Sequence, residues 1–467
     1  MRIGIVGAGL SGRLLALNLL RHASPPRRVD IVMFDRGAEP YMGPAYSNET
    51  DRHLLNVPAC RMGAYPEDPE HFLRWLQGRD ARVGPWDFVP RVKYREYLLT
   101  LVQEAMKSAA GAATLEHVRG EVIDMAADDG GVAIHLDHQG VLEVDKAVLA
   151  LGNFPPRHPK IETLPSLTST RYVRDPWDAG AIEGLNEHDT VFLIGTGQTT
   201  VDLAVALHRR GHRGQIVAIS RRGYLPLGHR GFESYPSFLA EIQAVRGVRA
   251  LVRIVREHLQ RADAAGIDRR AVIDSLRPHT QEIWSALAED EKRRFLRHAF
   301  RFWEIIRSRL PAESEAHIRT LRDCGQLRIV AGRIQDLVET GPGMAVRYVA
   351  RGGTAIEVES AARVINCIGP ESDYERVEHP LVRNLLRSRR IRSGPAGLGV
   401  DASPDGAIID AAGIGSEVLF TLGSTMKGVL WEVVAVPEIR VQAERLARLL
   451  LDGTSRPTPD STGSRQP

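Results

Sequence analysis

The amino-acid sequence predicts an α/β fold made of two parallel-sheet units within one chain of 467 residues. Two short apolar runs, RIGIV at 2–6 and TVFLI at 190–194, are each followed by a glycine-rich turn and then by an apolar stretch of helical length. Strand, glycine turn and helix in this order are typical of a doubly wound α/β unit. The chain is also too long for one small core, so two or three domains are expected.

The first glycine turn is Gly7-Ala-Gly9-Leu-Ser-Gly12, which precedes the helical stretch LLALNLL. In such a turn the first glycine permits a tight reversal, the second lets the backbone approach a pyrophosphate, and the third lets helix and strand pack closely. The next apolar strand ends at Asp35, where a carboxylate can accept hydrogen bonds from a ribose. We predict a dinucleotide site at these four residues. The alternative is a glycine-turned unit without a ligand.

The second glycine turn begins at Gly195 and Gly197 and continues through Gln198, Thr199 and Thr200. Thr200 occupies the place of the third glycine, which requires helix and strand to pack slightly further apart. The strand that follows ends in Ser220-Arg221-Arg222 instead of an acid. Arginine at this place suits the 2′-phosphate of NADP, although Arg221 and Arg222 are also compatible with a solvated turn. The pattern predicts FAD at the first turn and NADPH at the second.

Later strands that end in glycine predict crossings between the two units. DKAVLALG ends at Gly152, SAARVINCIG ends at Gly369, and EVLFTLG ends at Gly423. A loop containing Lys427 and Gly428 then precedes a long amphipathic helix whose positive N-terminus would favour an anionic reduced flavin. Gly152, Gly423, Lys427 and Gly428 are therefore predicted to contribute to FAD binding.

These features predict Rossmann-like domains with the following bounds. A discontinuous FAD domain comprises about 1–180 and 355–450, and an NADPH domain comprises about 185–350. Residues 235–325 are rich in helix formers and predict a helical insertion, while 451–467 have the composition of a disordered tail.

Composition excludes several classes of protein. Sixty-one Lys and Arg against fifty-eight Asp and Glu provide no bulk signal for nucleic-acid or membrane partners. The three cysteines form no CxxC, and His208 and His212 have no acidic partner nearby, so no metal site is predicted. The N-terminal run lacks a signal-peptide pattern and no uncharged apolar stretch is long enough to cross a bilayer, so a cytoplasmic location is expected.

The sequence resembles FAD/NAD(P)-binding proteins related to the single-component, class B flavin monooxygenases. Within that family it is most similar to a bacterial subgroup with amino-acid N-oxygenating relatives. The resemblance spans most of the chain and depends on GPAYSNETDRHLLNVPA (43–59), FVPRVKYREYL (88–98), ISRRGYLPLGH (219–229), RRFLRHAFRFWEIIRSRLP (293–311) and GVLWEVVAVPEIRVQA (428–443).

Two departures from the family pattern matter. Ser424 follows Gly423 where the family usually has Asp, so another group must hold the ribityl and pyrophosphate part of FAD. The FxGxxxH fingerprint of Baeyer–Villiger enzymes is also missing from 152–178, which argues against that reaction.

The resemblance implies that His53, Asn56 and Val57 lie against the isoalloxazine, although a buried Asn that holds a loop would give the same pattern. It also places Arg91, with Tyr94, near the adenine of FAD, with a surface arginine as the alternative.

A basic run in the predicted insertion supplies candidate substrate ligands. Arg294, Arg297, His298 and Arg301 share roughly one face at the helical spacings i, i+3, i+4 and i+7. The face is either solvated or grips a substrate carboxylate or the NADPH phosphates.

The resemblance implies an FAD- and NADPH-dependent monooxygenase that acts through a C4a-(hydro)peroxyflavin on a small molecule and O₂. The expected acceptor is the amine of a small acidic amino acid such as aspartate. Two alternatives are a flavin reductase or oxidase that passes electrons to a partner or quinone, and a non-catalytic FAD-binding redox sensor. No catalytic residue and no oligomeric state are predicted from the sequence.

Overall fold

The fold was obtained as a computed structural model of the full chain. It describes residues 1–25, 28–37, 42–47, 53–128, 130–138, 140–165, 169–178, 180–341 and 343–452. The predicted tail therefore lies outside the described residues, apart from residues 451 and 452, which form the end of the last helix.

Strand, helix and strand follow one another around each glycine turn, and a long run of helices lies in the second half of the chain. The first part of the chain forms β1 (Arg2–Val6), α1 (Leu10–His22), β2 (Val29–Asp35), α2 (Pro44–Ser47), α3 (His71–Gln77), α4 (Arg91–Ser108), β3 (Ala113–Arg119), β4 (Val122–Asp128), β5 (Gly131–Leu136), β6 (Val141–Val144), β7 (Lys146–Leu149) and β8 (Tyr172–Val173). The remainder forms β9 (Val191–Ile194), α5 (Gln198–Arg209), β10 (Ile216–Ser220), α6 (Leu239–Gln243), α7 (Val248–Ala264), α8 (Arg269–Leu276), α9 (Thr280–Ser285), α10 (Glu289–His298), α11 (Phe300–Arg307), α12 (Ala312–Asp323), β11 (Leu327–Glu339), β12 (Met344–Ala350), β13 (Ile356–Ala361), β14 (Arg363–Asn366), α13 (Pro380–Arg387), β15 (Ala407–Ile409), β16 (Gly415–Thr421) and α14 (Val436–Asp452).

The first sheet combines both ends of the chain in the order β15-β16-β7-β1-β2-β3. Its strands run parallel except at the β15–β16 edge. Helices α1, α4 and α14 pack on one face, and the antiparallel sheet β4-β5-β6 with α13 packs on the other. Because both faces are covered, the central strands are apolar along their whole length instead of alternating.

The second sheet has the order β13-β12-β11-β10-β9-β14-β8. Its centre is parallel, and β11, β12 and β13 form an antiparallel meander at one edge. The predicted fold class is thus confirmed, with a first unit that is discontinuous in sequence.

The predicted domain limits differ from the observed sheets at two places. The boundary near 355 assigns β13 and β14 to the first unit, but β14 pairs with β9 in the second sheet. The FAD segment predicted for 1–180 likewise includes β8, which pairs with β14. The chain completes β14 before it crosses back at Gly369, and the pairing of β14 with the distant β9 is not visible in the local sequence pattern.

The helical insertion lies between β10 and α12 and has its own apolar core, formed by Phe238, Ile242, Ile254, Ala262, Val272 and Leu276. The predicted bounds of the insertion also include α12. Instead, Ile318 and Leu321 of this helix pack into the same core as α5, beside the second sheet. The insertion therefore ends before Ala312.

An aromatic contact joins the insertion to the first unit. The Trp284 indole Nε1 donates a buried hydrogen bond of 2.8 Å to the Gly428 carbonyl. Its ring stacks on Trp431 with centroids 4.4 Å apart, and Phe295 and Phe300 contact the same Trp431 ring. The position of the insertion is therefore set by the loop that precedes α14.

None of the helices in the described ranges combines the length and the apolarity that a bilayer span requires.

Replacing Trp284 should weaken the attachment of the insertion in two steps. Trp284→Phe removes the hydrogen bond to a buried carbonyl and should cost about 1–3 kcal/mol. Trp284→Ala also removes the stacked ring and should cost about 3–5 kcal/mol. Thermal unfolding and limited proteolysis within residues 239–307 measure both effects. Trp86, whose ring is exposed, provides the control, because Trp86→Ala should change stability by less than about 0.5 kcal/mol. Equal protease resistance of all three variants would contradict this role of Trp284.

Candidate active site

The first glycine turn has the geometry of a dinucleotide cradle. Gly7 has φ of 109°, and a Cβ atom there would collide with the Ala150 carbonyl of the neighbouring crossing strand. A Cβ at Gly12 would collide with the Gly7 carbonyl, whereas one at Gly9 would meet only the Met42 carbonyl, at 3.7 Å. Gly9 begins α1 without a capping side chain, so the first N–H groups of the helix are directed at whatever lies over the turn. These residues fit a pyrophosphate.

Asp35 supports this turn directly. One carboxylate oxygen accepts the Ala8 N–H at 2.9 Å and the other accepts the Gly37 N–H at 2.8 Å. Each oxygen retains a second lone pair for a further donor. The predicted role toward a ribose and this structural role are therefore compatible.

The second glycine turn repeats the geometry. Gly195 has φ of 124°, and a Cβ there would collide with the Cys367 carbonyl. The buried Thr200 hydroxyl donates a hydrogen bond of 2.9 Å to the Gly195 carbonyl. Threonine at the third position therefore closes the turn itself. Gly197 begins α5 without a capping side chain, ahead of Gln198 and Thr199 in the first turn of the helix.

Arg301 reaches the second turn from the insertion. Its guanidinium donates to the Thr196 carbonyl at 3.1 Å and to the Tyr224 carbonyl at 2.8 Å. A Cβ at Gly197 would lie 4.0 Å from Arg301 Nη1. Arg221 and Arg222 are exposed directly after β10, and the Arg222 guanidinium lies 4.8 Å from the centre of the Phe302 ring. Arg301 thus contacts the turn predicted to hold NADPH, and Arg221 and Arg222 follow the neighbouring strand.

The remaining members of the predicted basic face lie elsewhere. Helix α10 ends at His298 and α11 starts at Phe300, so the helical run that contains these residues is interrupted at Ala299. Arg294 pairs with Glu291, and Arg297 and His298 are exposed on α10. The solvated alternative therefore describes these three side chains. Of the four side chains, Arg301 contacts the second glycine turn, whereas the other three lie at exposed positions of α10.

The loop after β16 closes against the first turn. A Cβ at Gly423 would lie 2.5 Å from Ser11 Oγ, and the Gly423 N–H donates to Gln442 Oε1 at 2.9 Å. Ser424, the residue that departs from the family pattern, donates its hydroxyl to the Gly152 carbonyl at 2.6 Å. This hydrogen bond thus connects the loop after β16 to the segment that follows β7.

Lys427 extends from the same loop toward the insertion. Its ammonium lies 6.0 Å from the centre of the Phe300 ring. Burial lowers the pKa of Lys427, and the nearby Glu304 carboxylate partly offsets that effect. Gly428 is held more tightly, because a Cβ there would collide with the Leu398 carbonyl.

The two units meet at the residues that follow β2. Asn56 Nδ2 donates to Gln198 Oε1 at 3.0 Å, which connects the predicted flavin side to the second glycine turn. His229 Nε2 donates to the Asn56 carbonyl at 3.3 Å. His53 is buried with its ring edge-on to Trp177, and Val57 packs on the first core. These contacts form a joint between the first unit and the second glycine turn.

Arg91 forms hydrogen bonds with protein groups that its predicted position near adenine does not explain. Its Nη2 donates to Asp202 on α5 at 2.8 Å, and its Nε donates to the Leu54 carbonyl at 3.1 Å. Tyr94 is fully buried among Phe72 and Tyr97. Arg91 is thus committed to the joint between the units, since Asp202 lies far away in sequence and only the fold brings it close.

Sequence reasoning missed a charged cluster beside this joint. It comprises Asp274, Arg277, Arg307, Arg309, Glu432 and Glu438. Gln198 Nε2 donates to the Arg309 carbonyl at 3.1 Å, which connects the cluster to the second turn. Its members come from widely separated segments, so no local spacing reveals them.

Comparison with known proteins agrees with this geometry. Residues 4–154 match a family model described as FAD-NAD(P)-binding. The ornithine N-hydroxylase of Kutzneria sp. 744 superposes with a TM-score of 0.66 at 13% identity, covering 96% of this chain and 98% of that one. The L-lysine 6-monooxygenase of Pseudomonas syringae gives 0.64 at 14% identity, with 97% and 99% covered. This chain has their fold. The family resemblance is thereby confirmed at the level of the fold.

A curated relative covers less of the chain. The uncharacterized protein YdhS of Escherichia coli K12 is 26% identical over 224 residues, which is 44% of this chain. The chain spans only 39% of that protein's length.

Gly9 and Gly12 should respond differently to alanine. Gly9→Ala has room within the protein, so it should fold normally, but its Cβ would stand over the N-terminus of α1 and block FAD. Gly12→Ala should destabilise the domain, because its Cβ collides with the Gly7 backbone. FAD content after purification and thermal unfolding measure the two effects. Gly180→Ala, where a Cβ meets no atom within 4 Å, should alter neither. A Gly9→Ala protein with full FAD content would refute the assignment of the first turn.

Proposed function

We propose that the protein is an FAD- and NADPH-dependent monooxygenase that N-hydroxylates the amine of a small substrate. The observation that carries this proposal is the pair of glycine turns with dinucleotide geometry, and the Asn56–Gln198 hydrogen bond joins the first unit to the second turn. The fold shared with ornithine and lysine N-hydroxylases over almost the whole chain supports the same reaction.

The residues divide between two dinucleotides. Gly7, Gly9, Gly12 and Asp35 would hold FAD, together with the loop that contains Gly423, Lys427 and Gly428. Gly195, Gly197 and the first turn of α5 would hold NADPH. Arg301 already crosses the second turn, and Arg221 and Arg222 extend from the strand end that would meet the 2′-phosphate.

When bound, FAD would take a hydride from NADPH and activate O₂. The overall reaction combines R–NH₂, O₂, NADPH and H⁺ to give R–NHOH, NADP⁺ and H₂O. The contribution of the chain is to orient both nucleotides and to exclude water. The ring cluster of Trp284, Phe295, Phe300 and Trp431 forms an apolar wall between the insertion and the loop before α14.

The amine must be neutral to react at nitrogen, so the site has to favour loss of its proton. Arginine-rich surroundings favour a substrate that also carries a carboxylate. The acidic amino acid expected from the sequence, aspartate, belongs to this class and remains a candidate.

Oxidation of NADPH by the FAD-loaded protein tests the reaction. With a panel of amino acids and diamines, a true substrate should accelerate NADPH oxidation and yield hydroxylamine with little peroxide. Stoichiometric peroxide with every compound would instead indicate an oxidase, and rapid transfer to a quinone would indicate a reductase. Failure of NADPH to reduce the flavin anaerobically would leave only a non-catalytic FAD-binding protein.

Coenzyme preference tests the second turn. Arg221→Ala should raise the KM for NADPH by about ten-fold or more, because a charge-assisted contact to the 2′-phosphate is lost. The KM for NADH should stay within about two-fold, since NADH lacks that phosphate. Steady-state flavin reduction gives both constants. Arg319→Ala, at an exposed position on α12, is the matched control. An equal loss for both coenzymes would contradict the assignment.

A further inference from the structure

One face of α11 in the insertion lies against the loop that precedes α14. Phe300, Trp303 and Arg307 stand at spacings i, i+3 and i+7 and therefore share this face. The Phe300 ring centre lies 6.0 Å from the Lys427 ammonium. Trp303 and Arg307 both donate to the Glu432 carboxylate, at 2.7 and 2.8 Å. This face of α11 thus holds the loop to the insertion.

Glu304 belongs to the same face, one helical turn after Phe300. Residues four apart on a helix are neighbours on its surface, so the Glu304 side chain is directed toward the same part of the loop as the Phe300 ring. Glu304 is paired, however, with Arg301 of its own helix, whose Nη1 donates to Glu304 Oε2 at 2.7 Å. The side chains of Arg301 and Glu304 are 27% and 36% exposed, and ion pairs at such exposure are weak. Glu304 can therefore exchange this partner at little cost.

Lys427 offers a second cation to the Glu304 carboxylate. The Lys427 ammonium forms no ion pair with the residues that the structure describes. Burial lowers the pKa of Lys427, and Glu304 is the carboxylate that opposes this effect. A cation that is partly removed from water gains more from an opposite charge than a fully solvated one does. Pairing with Glu304 would therefore stabilise the charged form of Lys427.

Arg301 connects the same carboxylate to the second glycine turn. Its Nη2 donates to the Thr196 and Tyr224 carbonyls. Its Nη1, the nitrogen that holds Glu304, lies 4.0 Å from the position that a Cβ of Gly197 would occupy. Gly197 begins α5, whose N-terminal N–H groups suit a phosphate. A coenzyme phosphate there would place a second anion beside Arg301, and this anion and the Glu304 carboxylate would repel each other.

We propose that Glu304 couples the two dinucleotide sites by exchanging partners. It pairs with Arg301 while no coenzyme is bound, and it turns to Lys427 when a coenzyme phosphate binds beside Arg301. Glu304 is thus a positioning residue that acts through these two cations. Because coupling is reciprocal, the affinity for the coenzyme must depend on Lys427, a residue of the flavin loop. The inference rests on NADPH as the ligand of the second turn and is independent of oxygen transfer.

Coenzyme binding tests the exchange, with calorimetry on the FAD-loaded full chain giving the Kd of NADP⁺. Lys427→Met should weaken NADP⁺ binding about five-fold or more, because the released Glu304 loses its second cation. Lys427→Arg keeps the charge and should retain most of the affinity. In a Glu304→Gln background, Lys427→Met should change the Kd by less than about two-fold, because the carboxylate that links the sites is gone. Lys107→Met, at an exposed position on α4, is the control and should change the Kd in neither background.

Labelling of lysine amines provides a second measurement that requires no Lys427 variant. Only the neutral amine reacts with acetic anhydride, and an ion pair with Glu304 raises the pKa of Lys427. NADP⁺ should therefore slow the acetylation of Lys427 in the wild type about five-fold or more. Glu304→Gln should remove most of this protection, whereas Lys107 should react at the same rate throughout. Mass spectrometry of the digested protein gives the rate at each lysine.

Two results would overturn the exchange. The first is a Lys427→Met variant that has no effect on NADP⁺ binding, or an equal effect with and without Glu304. The second is equal protection of Lys427 by NADP⁺ in the wild type and in Glu304→Gln, which would indicate that the coenzyme merely covers the amine. FAD content and the thermal midpoint establish that each variant is folded and loaded, and the labelling decides alone if Lys427→Met loses FAD.

Failure of the exchange and failure of the proposed function are distinguishable. NADP⁺ that binds with the expected coupling, while NADPH fails to reduce the flavin anaerobically, would refute the monooxygenase and leave the exchange standing. NADP⁺ that does not bind to the wild type would refute the coenzyme assignment and the exchange together.

Discussion

Both sheets depend on one kind of close approach, between the glycine that follows the first strand and the carbonyl of the strand that crosses back. Gly7 lies against the Ala150 carbonyl and Gly195 lies against the Cys367 carbonyl, each with positive φ. A side chain at either glycine would push the glycine turn away from the strand that carries this carbonyl. These approaches hold the start of α1 and of α5 at the carboxyl edge of each sheet. The position of both glycine turns therefore depends on backbone contacts and not on functional side chains.

The insertion and the loop before α14 then connect the two units. Trp284 and Trp431 fasten the insertion to the first unit, while Arg301 reaches from the insertion to the second glycine turn. The insertion therefore contacts both units at once. The charged cluster is assembled by the same docking, since Arg277 belongs to the insertion and Glu438 to α14.

Local patterns account for what could be predicted. The glycine spacing at 7–12 and 195–197 reports backbone requirements that depend on nearest neighbours, so both turns were found, and the helical composition of the insertion was equally readable. Contacts between residues that are distant in sequence could not be predicted from local patterns. Arg91 pairs with Asp202 across the joint, and the helix containing Arg294 breaks at Ala299 before it reaches Arg301. Side-chain patterns on one helix do not report what packs against it.

The sequence by itself determined the two α/β units, the discontinuity of the first unit and the turns suited to dinucleotides, because strand, glycine and helix follow one another within about twenty residues. Only the tertiary structure decided that Thr200 closes its turn through the Gly195 carbonyl, that Ser424 hydrogen-bonds to the Gly152 carbonyl, and that Arg277 has a long ion pair to Asp274. Such hydrogen bonds and charges depend on which distant groups the folded chain brings within a few ångströms, and no local spacing encodes that.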